Sequence, residues 1–252
     1  MAEDIRALAG WVREGRWPYV ECPTCRIGAL IPDFLKGTAS PRSLHDYDQN
    51  HDGSLINGHF HGVLKCTFSQ CEERVTVAGD YDVDFDADDE GYTRPFDFFK
   101  LRYAAPPLDV LVPPVGTPEA VVQAIKSAGR IVWIDPGAAA NRLRVAIEEL
   151  LTDYGMRRTK IVNHKRVRLS THAQIEEFKR YELLVGDTLE AVKWIGNAGS
   201  HEQDLTAKDV IDGAEILGYA LRLLYDKSDE QMERRIRAVN KRKGLPKKAT
   251  KK

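Results

Sequence analysis

Two different periodicities divide the chain. In the C-terminal half apolar residues recur at helical spacing. Val121, Ile125, Ala128 and Val132 predict a helix reaching about Trp133, and Ala139, Leu143, Ala146, Leu150 and Tyr154 a second one ending near Gly155. Ile175, Phe178, Val185, Leu189 and Val192 form one stripe of a third helix that begins near Ala173. Val210, Ala214, Leu217, Leu221 and Leu224 make the apolar face of a fourth. The starts carry signals of their own. Thr117-Pro118-Glu119 offers an N-cap, a first-turn proline and an acid at the positive helix end. Thr206-Ala207-Lys208-Asp209 resembles a capping box with Asp in place of Glu. Four amphipathic helices of this length predict a bundle.

The N-terminal half alternates instead. His59–Lys65 and Glu73–Ala78 read as strands. From Asp80 to Glu90 acids alternate with Tyr81, Val83, Phe85 and Ala87, which predicts a strand with one wet acidic face. Because Asp is a poor strand former, an edge position is expected for it. Prolines 106, 107, 113, 114 and 118 force extended backbone between the halves. The fold class expected is therefore α+β. It has a β-rich domain over 1–105, a Pro-rich linker over 106–117, a helical bundle over 118–228 and a basic tail over 229–252. The tail has no apolar stripe and is expected to fray or contact a polyanion, and residues 156–172 are expected to form a basic loop.

Composition narrows the class. The chain has 252 residues, 42% of them hydrophobic and 30% charged, which suits a globular protein with a sizeable core. A formal net charge of -1 argues against a globally basic nucleic-acid binder, although the acidic run and the basic tail distribute that charge unevenly. No apolar run is long enough to span a membrane and no signal pattern opens the chain, so no membrane association and a cytoplasmic location are expected. In such a compartment four cysteines favour a metal over disulfides.

Cys22-Pro23-Thr24-Cys25 and Cys66 with Cys71 form two short-spaced pairs separated by 40 residues. Two such pairs match a tetrahedral structural Zn2+ site presented by two tight turns, and the strands flanking the second pair complete a zinc-ribbon-like layout. His59 and His61 also carry zinc-ligating side chains, but their alternation fits strand pairing better. Asp48-Gln49-Asn50-His51-Asp52-Gly53 matches the first half of a calcium loop. The twelfth position is His59 rather than a bidentate Glu, and no helix is expected before Asp48, so a polar surface loop is the expectation.

Lys193, Asn197 and His201 sit at positions i, i+4 and i+8, which share one face of a helix. An imidazole exchanges protons near neutral pH and an ammonium stabilises phosphate charge, so the three residues suit acid–base chemistry on a phosphodiester. Gly196 and Gly199 are equally consistent with a close helix crossing, with His201 merely capping a turn.

Ala139-Ala140-Asn141-Arg142-Leu143-Arg144-Val145-Ala146-Ile147-Glu148-Glu149-Leu150-Leu151, then Lys193-Trp194-Ile195-Gly196-Asn197 and Gly199-Ser200-His201, then Leu205-Thr206, resemble an uncharacterised bacterial domain family. That family occurs alone and fused to restriction endonucleases, and is related to the HEPN helical bundles. The resemblance covers roughly residues 92–226. It implies a HEPN-like bundle, a homodimer through the bundle and an operon partner protein. It also implies metal-independent RNA cleavage in defence or toxin–antitoxin systems. The HEPN motif has Arg, a polar residue, then His after four to six residues; here Lys193 stands for Arg and seven residues precede His201. On this reading His201 is the general acid or base, Lys193 stabilises developing charge, Asn197 orients the phosphate or the imidazole, and Arg144 adds a second cation. The alternative is a non-catalytic zinc-ribbon and bundle module that binds a partner protein or nucleic acid, with Arg144 and Glu148 as an intra-bundle ion pair.

Overall fold

The computed structural model describes residues 2–88, 90–162, 164–198 and 205–242. After a short helix α1 (Ala2–Ala7) come β1 (Val12–Arg13), β2 (Val20–Glu21), β3 (Ala29–Ala39), β4 (Asn57–Cys66), β5 (Arg74–Ala87) and β6 (Thr93–Ala105). They form one six-stranded sheet in the order β1-β6-β5-β4-β3-β2, with every neighbouring pair antiparallel. Its inward residues alternate as a half-buried sheet demands: Phe60 and Leu64 on β4, Val75 and Val77 on β5, Phe99 and Leu101 on β6 are nearly sealed from solvent.

Helix α2 (Pro41–Asn50) is inserted between β3 and β4, capped by Ser40, whose side chain accepts from Ser43 N. Asp48 thus lies inside a helix rather than in a polar loop, and the segment 48–53 does not form a calcium-type loop. The acidic strand also departs from expectation. β5 is interior, paired with β4 up to Asp82 and with β6 to its end. Arginines balance its charge: Arg102 meets Asp80 at 2.7 Å, Arg13 meets Asp86 at 2.6 Å and Arg94 meets Asp88 at 3.5 Å. Propensity yields here to cross-strand pairing and charge compensation.

The C-terminal half is helical: α3 (Glu119–Ile131), α4 (Pro136–Asp153), α5 (Thr171–Phe178), α6 (Leu183–Ala198), α7 (Ala207–Tyr225) and α8 (Ser228–Arg242). The capping box of α7 forms as expected from Thr206 and Asp209. α3 starts without the expected side-chain cap, because its N-cap position falls on Pro118 rather than on Thr117, whose hydroxyl donates to Pro114 O. The single third helix is two helices, α5 and α6, broken around Lys179–Glu182; the apolar stripe runs across the break because both pieces pack on the same core. The basic loop contains an antiparallel hairpin, β7 (Thr159–Val162) and β8 (Lys165–Arg168), with His164 at φ 61° in its turn. Part of the tail is helix α8 rather than frayed chain.

The halves share one hydrophobic cluster. Leu108 and Val110 of the Pro-rich segment are buried within it, so the strap is packed rather than free. Ile5 and Leu8 join the same cluster, and Arg6 forms ion pairs with Asp212 and Glu215 on α7. Among the described residues no helix is long and apolar enough to cross a membrane.

Candidate metal centre and cationic surfaces

Strand register brings the four cysteines together. Val20 on β2 faces Leu30 on β3, and Leu30 in turn faces Cys66 at the end of β4, so Cys22 and Cys66 meet at the same end of the sheet. Each pair sits on a tight turn closed by backbone bonds: Cys22 N donates to Gly28 O, Arg26 N to Cys22 O, and Cys71 N to Phe68 O. Arg26 and Glu72 take left-handed conformations at φ 55° and 53° that reverse the chain. The turns are clipped to each other, since Thr67 N donates to Ala29 O at 2.8 Å and Ala29 N to Thr67 Oγ1 at 2.9 Å.

All four Sγ atoms lie within 4.8 Å of one another, with Cys25–Cys66 at 3.6 Å and Cys22–Cys71 at 3.8 Å. Gly28 N approaches Cys25 Sγ at 3.5 Å and Phe68 N approaches Cys66 Sγ at 3.4 Å, amides placed to stabilise thiolates. Those of Gly28 and Ile27 pull the Cys25 thiol down to about 6, whereas burial pushes Cys66 up to about 12. Four thiolates this close repel, and a cation among them removes the conflict. The cluster can therefore hold a metal ion. With four protein ligands it would leave no open position, which suits a structural rather than a catalytic site. His59 and His61 lie out on β4, opposite Thr38 and Lys36, and are not part of the group.

A second cluster lies between α5 and α6. Lys193 is only 3% exposed, yet its Nζ lies 3.2 Å from His172 Nδ1, 3.4 Å from Glu190 Oε1 and 3.7 Å from the centroid of the Trp194 ring. Trp194 itself is 59% exposed. Beside them Lys179 reaches Glu190 at 2.5 Å, Glu176 at 2.9 Å and Asp187 at 3.2 Å. His172, Glu176 and Glu190 are spaced closely enough to ligate a cation, but two ammonium groups already balance the carboxylates. The ion pair with Lys179 first, then Lys193, holds Glu190 below the usual carboxylate range.

The sequence-predicted residues of this half are placed unevenly. Asn197 is partly buried near the end of α6. Arg144 is near that element: a Cβ at Gly196 would lie 3.4 Å from Ala140 O and 3.5 Å from Arg144 Cβ, so α6 crosses α4 closely beside Arg144. Arg144 Nε donates to Asn141 Oδ1, while Glu148 holds Arg168 and the Thr171 hydroxyl. The expected Arg144–Glu148 pair is therefore not formed. His201 lies outside the described residues.

Where the sequence predicts only a basic loop, the structure has the β7–β8 hairpin. Arg158 is paired with Glu149 and Arg168 with Glu148. Lys160 and Lys165 are exposed with no carboxylate partner among the described residues, and Arg166 Nε donates only to Thr159 Oγ1. Ile161 beside them is 78% exposed.

Comparison with known families divides the chain where the strap does. Residues 126–248 match the model of a domain of unknown function (DUF4145), and residues 12–104 match that of another domain of unknown function (DUF8608). No curated protein and no solved structure gives a significant match.

Proposed function

We propose that the protein is a zinc-braced module that binds nucleic acid through the β7–β8 hairpin, with the helical half a bacterial HEPN-like bundle acting in the cytoplasm. One observation carries this reading. Lys160, Lys165 and Arg166 stand exposed on a two-stranded ribbon without carboxylate partners among the described residues, next to an exposed isoleucine. Cations held on a short ribbon suit a phosphate backbone, whose contacts supply affinity without reading bases. Zinc is the metal that best fits the brace. Bonds of about 2.3 Å in a tetrahedron give sulfur–sulfur edges of about 3.8 Å, against the 3.6 and 3.8 Å separations of the two closest pairs. When bound, the ion would neutralise the thiolates and lock the two turns; Cys22, Cys25, Cys66 and Cys71 would hold it.

The test is an anisotropy titration of labelled single-stranded RNA and duplex DNA. Binding in the micromolar range is expected for the wild type, with a loss of about tenfold or more when Lys160, Lys165 and Arg166 are all changed to Glu. Equal binding by both proteins would contradict the proposal.

A second reading, RNA cleavage, draws support from the close crossing at Gly196, which sets Arg144 beside the element carrying Lys193 and Asn197. In it His201 moves the proton of the attacking ribose hydroxyl and Arg144 faces the phosphate, while Lys193, buried against Glu190 and His172, adds positive charge behind the site. Incubating total RNA with the wild type and His201→Ala in EDTA separates the readings: cleavage by the wild type alone favours the enzyme. The exposed face of α6, with Leu184, Ala191 and Trp194, suits self-association into a homodimer in either case, and light scattering at micromolar concentration checks it.

A further inference from the structure

The sheet carries a cavity unrelated to the metal turns and the hairpin. It has a volume of about 440 Å³ and lies between the turn after β1, the start of β3 and β6, a size that accommodates small organic ligands. Trp17, Leu35 and Phe99 give it aromatic and aliphatic walls, and Arg13, Glu14 and Asp97 its polar groups. Arg13 is held firmly. Its side chain is only 9% exposed, its guanidinium lies 3.9 Å over the Phe96 ring, and Nη1 donates to Asp86 and to Ala87 O.

That arrangement leaves two donors unused. Arg13 Nε and Trp17 Nε1 are both buried and have no acceptor among the described residues. Buried donors without partners are rare in folded proteins because each forfeits its hydration. Two on residues lining one cavity ask for an acceptor from outside the chain. The same cavity supplies an acceptor. Asp97 Oδ1 accepts the Tyr81 hydroxyl at 2.9 Å, and burial first, then this bond, pushes the Tyr81 pKa up, so the phenol stays a neutral donor. The carboxylate keeps lone pairs for further N–H groups.

These groups select by charge. An anionic ligand meets Asp97 and Glu14, while a cation without acceptors and a purely apolar molecule both leave the two donors unmet. A neutral, flat molecule with acceptors on one edge and paired N–H groups on another meets every group. We propose that the cavity binds a guanine base. Its N1–H and N2–H₂ suit the Asp97 carboxylate, its O6 and N7 suit the two donors, and its π-face suits Trp17 and Phe99. Adenine has no adjacent N–H pair for the carboxylate. A second cleft, sharing Arg13, Glu14 and Gly15 with the first and lined also by Arg94 and Phe96, gives an attached ribose room to leave. The inference stands apart from the hairpin reading, because the two sites share no residue.

Calorimetric titration of the full chain with guanosine and adenosine tests it. Guanosine is expected to bind with Kd below about 1 mM and roughly tenfold tighter than adenosine, one lost hydrogen-bond pair being worth about that factor. Trp17→Phe keeps an aromatic face and removes the donor, so guanosine affinity should fall about fivefold in the folded variant. If Trp17→Phe does not fold, the indole N–H resonances of the wild type decide: one of them must shift on adding guanosine. The charge-reversed hairpin variant should bind guanosine as the wild type does. No heat from guanosine and no indole shift, or equal affinity for both nucleosides, overturns the proposal.

Discussion

Gly28 shows how narrowly the candidate metal centre is built. A Cβ there would come 2.6 Å from Cys66 Sγ and 2.7 Å from Phe68 N, and neither neighbour is the end of a flexible side chain. Gly28→Ala is therefore expected to lose most of its bound metal, as Cys25→Ser should. Elemental analysis should find about one zinc per wild-type chain and well under half of one in either variant; metal-free wild type with an unchanged fold would contradict the assignment. Glu190 gives a pH signature. Its folded pKa lies below the ordinary 4.5, so its stabilisation is complete above that value and is lost as pH falls through the depressed one. Glu190→Gln should melt roughly 1–3 °C lower than wild type at pH 7, the scale of a screened ion pair, and the gap should close as pH falls through the depressed carboxylate pKa. At this scale the cysteines were legible because their ligand spacing is local. Gly28, His172 and Glu190 were not, since each acquires its role from a segment far away in sequence: Cys66 for the glycine, the facing helix for the other two.

At the scale of elements, periodicity revealed the long helices and missed what tertiary contact overrides. Leu143 sits on the predicted stripe of α4, fully buried, with its Cδ1 close to Gly213 on α7. Leu143→Ala removes that packing and should cost about 2–5 kcal/mol in urea unfolding, whereas a loss under about 1 kcal/mol would mean the bundle repacks freely. The break between α5 and α6 was hidden because apolar spacing continues through it. The hairpin carried a faint signal, the β-branched pair Ile161 and Val162 before Asn163-His164, which the density of cations obscured. The interior placement of the acidic strand had no local signal, because the arginines that make it tolerable come from β1 and β6.

On the whole-molecule scale the expected division into β and helical halves holds in sequence order but not in packing. Leu108 and Val110 of the strap, Ile5 and Leu8 of the N-terminal segment and the α7 face belong to one core. Tyrosine and tryptophan fluorescence together with helical circular dichroism should therefore report one coincident unfolding transition for metal-loaded protein; two separated transitions would show independent halves. On this single body the hairpin presents its cations to the outside, and the central claim is that they bind nucleic acid. The most direct measurement is the salt dependence of single-stranded RNA binding, compared between wild type and the variant carrying Lys160→Glu, Lys165→Glu and Arg166→Glu. Each phosphate contact contributes a slope of about 0.7 in log Kobs against log salt, so removing three should flatten the slope by about 2. Identical slopes for the two proteins would place the contact elsewhere and contradict the account.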